Sequence, residues 1–219
     1  MTVKLFLFDL DGTLIDTAPD LVRATNLVRT VRGLPALSDD VLRPKASKGA
    51  PGLIGTAFSI QPDDPSFAEL KEEFLSNYRS GLAVASQPFD GIPEMLDALR
   101  ISGIRTGIFT NKYIELAEAL IDGLHLRDKF DIILGSNSDG CAMKPAPDAF
   151  FEAARRLSID TTEMLYAGDD PRDVIAAHVA GLPCAGVRWG YLDSDPDTWN
   201  ADFVANSPLE LVSWATKQK

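Results

Sequence analysis

The fold of this chain is decided by residues 6–17, which read Phe-Leu-Phe-Asp-Leu-Asp-Gly-Thr-Leu-Ile-Asp-Thr. An apolar run, Leu5 to Phe8, has the length and composition of a strand buried in a parallel sheet. Asp9 and Asp11 follow it, at the end of the strand where open α/β sheets bind their ligands. Buried carboxylates are costly unless they are paired or bound to a metal, so this pair of acids requires a reason. The alternative is a polar strand end followed by an ordinary Asp-Gly turn.

A long helical stretch separates this first strand from the rest of the predicted sheet. Apolar residues at helical spacing, with no convincing strand, occupy residues 17–87 and predict a small all-helical insert. From Pro88 onward, short apolar runs and amphipathic helical stretches alternate. This alternation predicts an α/β fold with a doubly wound parallel sheet and right-handed crossovers. We expect a core domain of residues 1–16 and 88–219 and an inserted helical cap domain of residues 17–87.

Composition narrows the class of protein. No apolar run in the 219 residues approaches the roughly 20 residues of a membrane span, and the N-terminus lacks the pattern of a signal peptide. Cys141 and Cys184 form neither a disulfide framework nor a zinc motif, which favours reduced thiols in the cytoplasm. The net charge of −11 argues against nucleic acid as a partner. We expect a cytoplasmic protein without nucleic-acid or membrane partners, either a monomer or a homodimer.

Polar residues also follow the strand predicted at residues 106–109. Thr110 and Asn111 precede a helix, where a hydroxyl group and free backbone N–H groups can bind an anion. Thr and Asn are also ordinary helix caps, and capping is the stronger interpretation of these two residues alone.

A lysine precedes the helix predicted at residues 147–157. Lys144 lies in the segment Met-Lys-Pro-Ala-Pro-Asp, whose prolines restrict the backbone. An isolated lysine is more often a solvated surface charge, so this residue alone does not predict a functional site.

Three acids follow the strand predicted at residues 164–167, within Gly-Asp-Asp-Pro-Arg-Asp at 168–173. A helix N-terminus favours acids and proline, which accounts for Asp170 and Pro171. It accounts poorly for Asp169, which directly follows a buried strand and would be costly there without a cation.

The segments at 9–14, 110–112, 143–148 and 168–173 resemble, in this order, the four motifs of the haloacid-dehalogenase-like hydrolase superfamily, mostly phosphatases. The resemblance covers essentially the whole chain. Residues 187–191 and 200–208 are similar to the phosphoglycolate-phosphatase branch and the related N-acetylmuramic acid 6-phosphate phosphatases. One departure is Asp170, which stands where the superfamily commonly has Ser.

The resemblance implies a catalytic role for each matched residue. Asp9 would be the nucleophile that forms an aspartyl phosphate, and Asp11 would be the general acid and then the general base. Thr110 would bind a phosphate oxygen, with the backbone of Asn111 beside it. Lys144 would neutralise the nucleophile and the phosphoryl group, and the two prolines that follow it would direct its ammonium group inward.

The resemblance also implies a magnesium site. The side chains of Asp9 and Asp169 and the backbone carbonyl of Asp11 would be the ligands, and an all-oxygen set suits Mg²⁺. Asp173 would hold a metal-bound water or the lysine, and the role of Asp170 is left open. The predicted activity is that of a Mg²⁺-dependent phosphomonoesterase acting on a small carboxylated phosphate ester.

Basic residues cluster in the predicted cap. Residues 41–62 contain Arg43, Lys45 and Lys48 and no acid, in a chain whose net charge is −11. The functional interpretation is that Lys48, and after it Arg43, binds the carboxylate of the substrate. A solvated basic face is the alternative, and the sequence gives both equal weight.

Three other functions stay open at this point. A phosphatase for N-acetylmuramic acid 6-phosphate or another sugar phosphate would use the same residues. A sugar-phosphate phosphomutase would use the same two acids of the first motif but would shield the phosphoenzyme from water. A binding module that has lost turnover is least favoured, because no motif residue is missing.

Overall fold

The structure is a computed structural model that describes residues 2–138 and 140–218. Its strands are β1 (Leu5–Phe8), β2 (Ile15–Asp16), β3 (Gln87–Pro88), β4 (Arg105–Phe109), β5 (Ile132–Leu134), β6 (Met164–Gly168), β7 (Cys184–Val187) and β8 (Phe203–Ala205). Six of these form one sheet in the order β5-β4-β1-β6-β7-β8, and every neighbouring pair is parallel. The doubly wound parallel sheet predicted from the sequence is confirmed.

Strand β1 lies in the middle of this sheet, and both of its faces are covered. Phe6 and Phe8 belong to one hydrophobic cluster, whereas Leu5 and Leu7 belong to a second cluster on the opposite face. Side chains alternate across a strand, so a strand covered on both faces needs an apolar residue at every position. All four side chains are fully buried, which explains the uninterrupted apolar run.

Helices provide the cover on both faces of the sheet. The helices are α1 (Ala18–Val31), α2 (Asp39–Leu42), α3 (Gly49–Phe58), α4 (Phe67–Ser80), α5 (Ile92–Ile101), α6 (Ile114–Gly123), α7 (Asp148–Leu157), α8 (Pro171–Val179) and α9 (Pro208–Lys217). Helices α5, α6 and α9 pack on the face of Phe6, and α7 and α8 pack on the face of Leu5. In the described part of the chain, no helix has the length and apolar character needed to cross a membrane.

The predicted insert is helical. Between β2 and β3, a stretch that the structure describes completely, the chain forms α1 to α4 and a 3₁₀ helix at Arg43–Lys48. These helices share an apolar cluster of their own, which also includes Leu116 and Tyr191 of the core. The chain enters and leaves this region side by side, because Ile15–Asp16 pairs antiparallel with Gln87–Pro88. The predicted domain boundaries adjoin this pairing, and the division itself stays an interpretation.

Two elements near the C-terminus, β8 and α9, were not predicted. Strand β8 lies at the edge of the sheet, and only Ala205 of its three residues is fully buried. Its apolar run, Phe203 to Ala205, is shorter than the run of about four to eight residues that predicts a strand. The sequence pattern also predicts a strand at residues 130–134, and the observed strand is shorter, since it begins at Ile132.

Candidate active site

The polar segments meet because their strands are neighbours. Strand β1 lies between β4 and β6, so the residues that follow these three strands share one edge of the sheet. Asp9 follows β1, and its backbone N–H donates to the carbonyl of Ala167 on β6 at 2.9 Å. Thr110 follows β4, and Asp169 follows β6. This is the edge at which parallel α/β sheets bind ligands.

Lys144 lies among the acids of this edge. Its Nζ is 2.9 Å from Oδ1 of Asp9 and 2.6 Å from Oδ1 of Asp173, and it donates to the hydroxyl of Tyr166 at 2.8 Å. Burial alone would lower the pKa of Lys144, but the charges of Asp173 and Asp9 outweigh it and raise the pKa to about 12. The lysine is therefore a buried, permanently charged partner of both acids and not a solvated surface residue.

Asp9, Asp169 and Asp173 form a carboxylate cluster in which one oxygen of each lies within 4.8 Å of the others. Burial raises the pKa of Asp9 to about 6, although Lys144 opposes the shift. Burial, reinforced by the charges of Asp9 and Asp173, raises the pKa of Asp169 well above its ordinary value. Three carboxylates thus face one lysine, and an oxygen-binding divalent cation would offset the remaining negative charge. The donor set fits such a metal.

Asp169 is held in one orientation by residues of two other segments of the chain, 12–13 and 191. The hydroxyl of Thr13 donates to Oδ1 at 2.9 Å, and the backbone N–H of Tyr191 donates to Oδ2 at 2.8 Å. Gly12 has a positive φ of 86°, and a Cβ at this position would overlap the carboxylate of Asp169. Glycine is therefore required here both for its conformation and for the close approach of the acid.

The carboxylate of Asp11 lies outside the cluster of Asp9, Asp169 and Asp173. It accepts hydrogen bonds from Nζ of Lys112 at 2.8 and 3.1 Å and from the hydroxyl of Thr17 at 2.5 Å. The ammonium group of Lys112 also lies 4.7 Å from the ring centroid of Tyr78 in the cap. Sequence reasoning assigned no role to Lys112, although it directly follows a motif residue at a strand end.

Thr110 and Asn111 both line the same cavity as Lys144 but make different contacts. The buried hydroxyl of Thr110 accepts the backbone N–H of Lys112 at 3.2 Å. The Asn111 side chain accepts the N–H of Lys144 at 2.7 Å and donates to its carbonyl at 3.2 Å, so it clamps the backbone of the lysine. Neither residue caps α6, because the N-cap of this helix is Tyr113 and the N–H of its first residue, Ile114, donates to the side chain of Asn137 at 2.7 Å.

Asp170 is a helix cap. Its carboxylate accepts the N–H of Arg172 at 2.9 Å, and its own N–H donates to Asp173 at 3.0 Å, which completes a capping box at the start of α8. The guanidinium group of Arg172 pairs with Asp170 at 2.7 Å and reaches across to the carbonyl of Ser47 in the cap at 3.0 Å. The position left open by the sequence is thus explained by local structure.

The two predicted cap ligands occupy different places. Lys48 lines the cavity next to the acids, and its ammonium group is paired with Asp193. Arg43 pairs with Asp16 at 2.9 Å and lies 5.3 Å from the ring centroid of Tyr191. Arg43 is not among the described residues that line the cavity. The structure therefore brings Lys48 to the predicted site and does not bring Arg43 there.

A cavity of about 470 Å³ lies between the acids and the cap. Its wall includes Asp9, Thr110 and Lys144 from the core, together with residues of α3 and α4 from the cap. This volume lies in the range of sites that bind whole organic ligands. The cavity therefore provides space for the organic part of a ligand next to the buried lysine and acids.

Buried acids and a lysine lie at the carboxyl edge of a parallel α/β sheet, beneath an inserted helical cap. This arrangement defines a class of hydrolases. The family model described as haloacid dehalogenase-like hydrolase matches residues 3–181, and the chain belongs to this family.

Relatives extend the match to nearly the whole chain. An N-acetylmuramic acid 6-phosphate phosphatase from Pseudomonas aeruginosa is 36% identical, over 97% of this chain and 94% of its own. A phosphoglycolate phosphatase from Xanthomonas campestris is 38% identical, over 94% and 93%. A crystal structure described as a predicted phosphoglycolate phosphatase from Haemophilus somnus superposes with a TM-score of 0.87, at 25% identity and 98% coverage of both chains. The chain is a phosphoric monoester hydrolase, as the sequence predicted.

Proposed function

We propose that this phosphatase is Mg²⁺-dependent, forms an aspartyl phosphate on Asp9 and acts on a small carboxylated phosphate ester. The observation that carries the proposal is the buried contact of Lys144 with both Asp9 and Asp173 at the floor of the cavity. A fixed cation beside a carboxylate stabilises a phosphoryl group as its charge develops.

The metal would be held by the side chains of Asp9 and Asp169 and by the backbone carbonyl of Asp11. When bound, Mg²⁺ would neutralise the acids and the phosphate oxygens and keep the phosphoryl group in place. The hydrogen bonds from Thr13 and Tyr191 support this assignment, because they fix the orientation of Asp169 without a metal.

The chain's own residues would carry out the transfer. A carboxylate oxygen of Asp9 attacks phosphorus in line, so that a bond to this oxygen forms while the bond to the ester oxygen breaks. Lys144 and the hydroxyl of Thr110 stabilise the charge on the equatorial oxygens. Asp11 gives a proton to the leaving oxygen and later takes one from the attacking water. Water then releases phosphate and regenerates Asp9.

The cap would close over the site, with hinges near residues 16–17 and 87–88. Residues 17–87 would then move as one body relative to the core, exclude water and complete the binding site. The contacts that cross this division, Arg172 with the carbonyl of Ser47 and Lys48 with Asp193, would have to rearrange. Small-angle scattering with and without a phosphate analogue tests this motion.

A second candidate substrate is N-acetylmuramic acid 6-phosphate or another sugar phosphate. The observation that favours it is the cavity volume of about 470 Å³, because a two-carbon acid such as phosphoglycolate would fill only a small part of it. Both named relatives share similar identity with this chain, so identity does not decide between the two substrates.

The function is tested by turnover on a panel of phosphate esters, with free phosphate measured against the ester consumed. Stoichiometric release of phosphate from a carboxylated ester is the expected result. Conversion to an isomer without release would identify a phosphomutase. The absence of any turnover in the presence of Mg²⁺ would contradict an enzymatic role.

A further inference from the structure

A lysine of the cap interrupts the apolar face that α4 presents to the cavity. Lys71, Phe74, Leu75 and Tyr78 all line the cavity, and their spacing places them on one side of the helix. Phe74, Leu75 and Tyr78 are buried, as expected for a packed helix face, and Lys71 is half-buried. Its ammonium group thus lies at a position that ordinary packing would give to an apolar side chain.

Lys71 has no carboxylate partner among the residues that the structure describes. Its Nζ donates to the hydroxyl of Tyr113 at 3.2 Å and lies 5.7 Å from the centroid of that ring. The other charged side chains of α4 are all paired. Glu69 and Glu73 contact Arg32, and Glu72 contacts Arg79.

The remaining cations of the cavity wall are paired as well, within the described parts of the chain. Lys48 contacts Asp193, Lys112 contacts Asp11, Lys144 contacts Asp9 and Asp173, and Arg172 contacts Asp170. Lys71 therefore differs from every other cation of the wall, because a neutral phenol is its partner.

This arrangement suits an anion supplied by the ligand. The half-buried side chain of Lys71 has given up part of its contact with water, and its charge has no carboxylate partner among the described residues. The phenol oxygen of Tyr113 accepts from Lys71, so its own O–H stays available as a donor. Ammonium and hydroxyl together can donate to the two oxygens of one carboxylate, and charge-assisted bonds of this type are strong.

We infer that Lys71, with Tyr113, binds the carboxylate of the substrate and thereby selects phosphate esters that carry a second acidic group. This inference rests on the proposed function, because the phosphate must occupy the site of Asp9 and Lys144 at the core end of the cavity. It replaces Lys48 as the main acid-binding cation, since Lys48 already has a carboxylate partner in Asp193, which Lys45 also contacts at 3.9 Å.

Two pairs of esters isolate the effect of the carboxylate. N-acetylmuramic acid 6-phosphate differs from N-acetylglucosamine 6-phosphate by its lactic acid ether, and phosphoglycolate differs from 2-hydroxyethyl phosphate by its carboxylate. The variants are Lys71→Met, which keeps an apolar stem, Lys48→Met as the rival cation, and Arg79→Met. Arg79→Met is the matched control, because it removes a positive charge from an exposed, ion-paired position of the same helix.

The inference predicts that Lys71→Met lowers kcat/KM for the preferred acidic ester by about ten- to hundredfold, the effect of one charge-assisted bond. The neutral member of the pair and the Arg79→Met variant should change by less than about threefold. Equal losses on both members of a pair, no loss, or a selective loss in Lys48→Met alone would overturn it.

Equilibrium binding separates this inference from the proposed function. Binding of the same esters is measured by calorimetry in Asp9→Asn, with and without Lys71→Met. If the wild type releases no phosphate but Lys71→Met still weakens binding of the acidic ester selectively, the inference stands and the proposed activity fails. If the wild type is active and Lys71→Met changes neither binding nor selectivity, the activity stands and the inference fails. If the esters neither react nor bind, both are wrong.

Discussion

The ammonium group of Lys112 bridges both carboxylate oxygens of Asp11, at 2.8 and 3.1 Å. Lys112 comes from the core and also lies over the ring of Tyr78 in the cap. The orientation of the proposed acid–base residue therefore depends on a lysine next to the phosphate site and on the position of the cap.

Lys112→Met should lower kcat on alkyl phosphates by about ten- to hundredfold, because Asp11 loses the partner that holds its carboxylate in place. The loss should be much smaller on p-nitrophenyl phosphate, whose leaving group needs little help from a general acid. Steady-state kinetics on both types of ester make the test. Equal losses on both would indicate a damaged phosphate site and would contradict a positioning role.

Asp9→Asn should remove nearly all turnover, by more than about a thousandfold, because an amide cannot form the acyl phosphate. The metal-free variant should not be less stable than the wild type at pH 7. Burial raises the pKa of Asp9 to about 6, above its ordinary value of 3.8. At pH 7 the ionised carboxylate is thus less favourable in the folded than in the unfolded chain, and the neutral amide removes that cost. A folded variant that retains a tenth of the wild-type rate would exclude Asp9 as nucleophile.

Chelation should abolish activity, Mg²⁺ should restore it, and Ca²⁺ should restore it poorly because its coordination is looser. Asp169→Asn should raise the Mg²⁺ concentration for half-maximal activity by at least about tenfold. Asp170→Asn is the matched control, since Asp170 adjoins Asp169 but caps a helix, and Asn caps helices well. Full activity in excess chelator, or equal effects of the two substitutions, would refute the metal assignment.

Asp20 should stabilise the protein in a pH-dependent manner. Its buried carboxylate accepts hydrogen bonds from the N–H groups of Val84, Ala85 and Ser86 and from the Ser86 hydroxyl. Burial would raise the pKa of Asp20, but the bonds from Ser86 and Ala85 outweigh it and hold the pKa below its usual 3.8. Asp20→Asn should therefore cost about 2–4 kcal/mol of unfolding free energy at pH 7, because several buried donors lose a charged acceptor.

The sign of the shift determines how this cost changes with pH. A lowered folded-state pKa contributes stability that is present above pH 3.8 and is lost as the pH falls through the folded value. The difference between Asp20→Asn and the wild type should therefore shrink below about pH 4, as measured by denaturant titrations. Asp64→Asn is the control, since Asp64 also accepts two bonds from one serine, Ser66, in an exposed turn. If Asp64→Asn lowered the free energy of unfolding by as much as Asp20→Asn, burial of the carboxylate would not explain the effect.

The α/β fold and two acids of the site could be predicted from local sequence patterns. Leu5 to Phe8 predicted a buried strand because a strand covered on both faces must be apolar throughout. Asp9 and Asp169 stood out because carboxylates directly after such strands need compensation. The inward position of Lys144 came from the resemblance, because the acids that pair with it lie far away in the sequence.

What the sequence did not predict depends on charge partners that only the folded chain brings together. Lys48 was selected from its local surroundings, which contain no acid, and Lys71 was assigned no role. Its actual partner, Asp193, lies in the distant C-terminal part of the chain. The phenol that contacts Lys71 likewise belongs to another domain of the predicted division. The pairing of cations is a tertiary property, so no spacing rule reveals it.

The central position of β1 has a consequence for synthesis of the chain. Its two neighbours, β4 and β6, end at Phe109 and Gly168, so the strand leaves the ribosome long before either can pair with it. During this interval Leu5 to Phe8 is an apolar segment with both edges free, a state prone to association with other chains. The helical insert is complete by Ser80 and has an apolar cluster of its own, so it is made before any partner of β1. The central strand of a nascent chain therefore stays without a partner while the whole helical insert is synthesised.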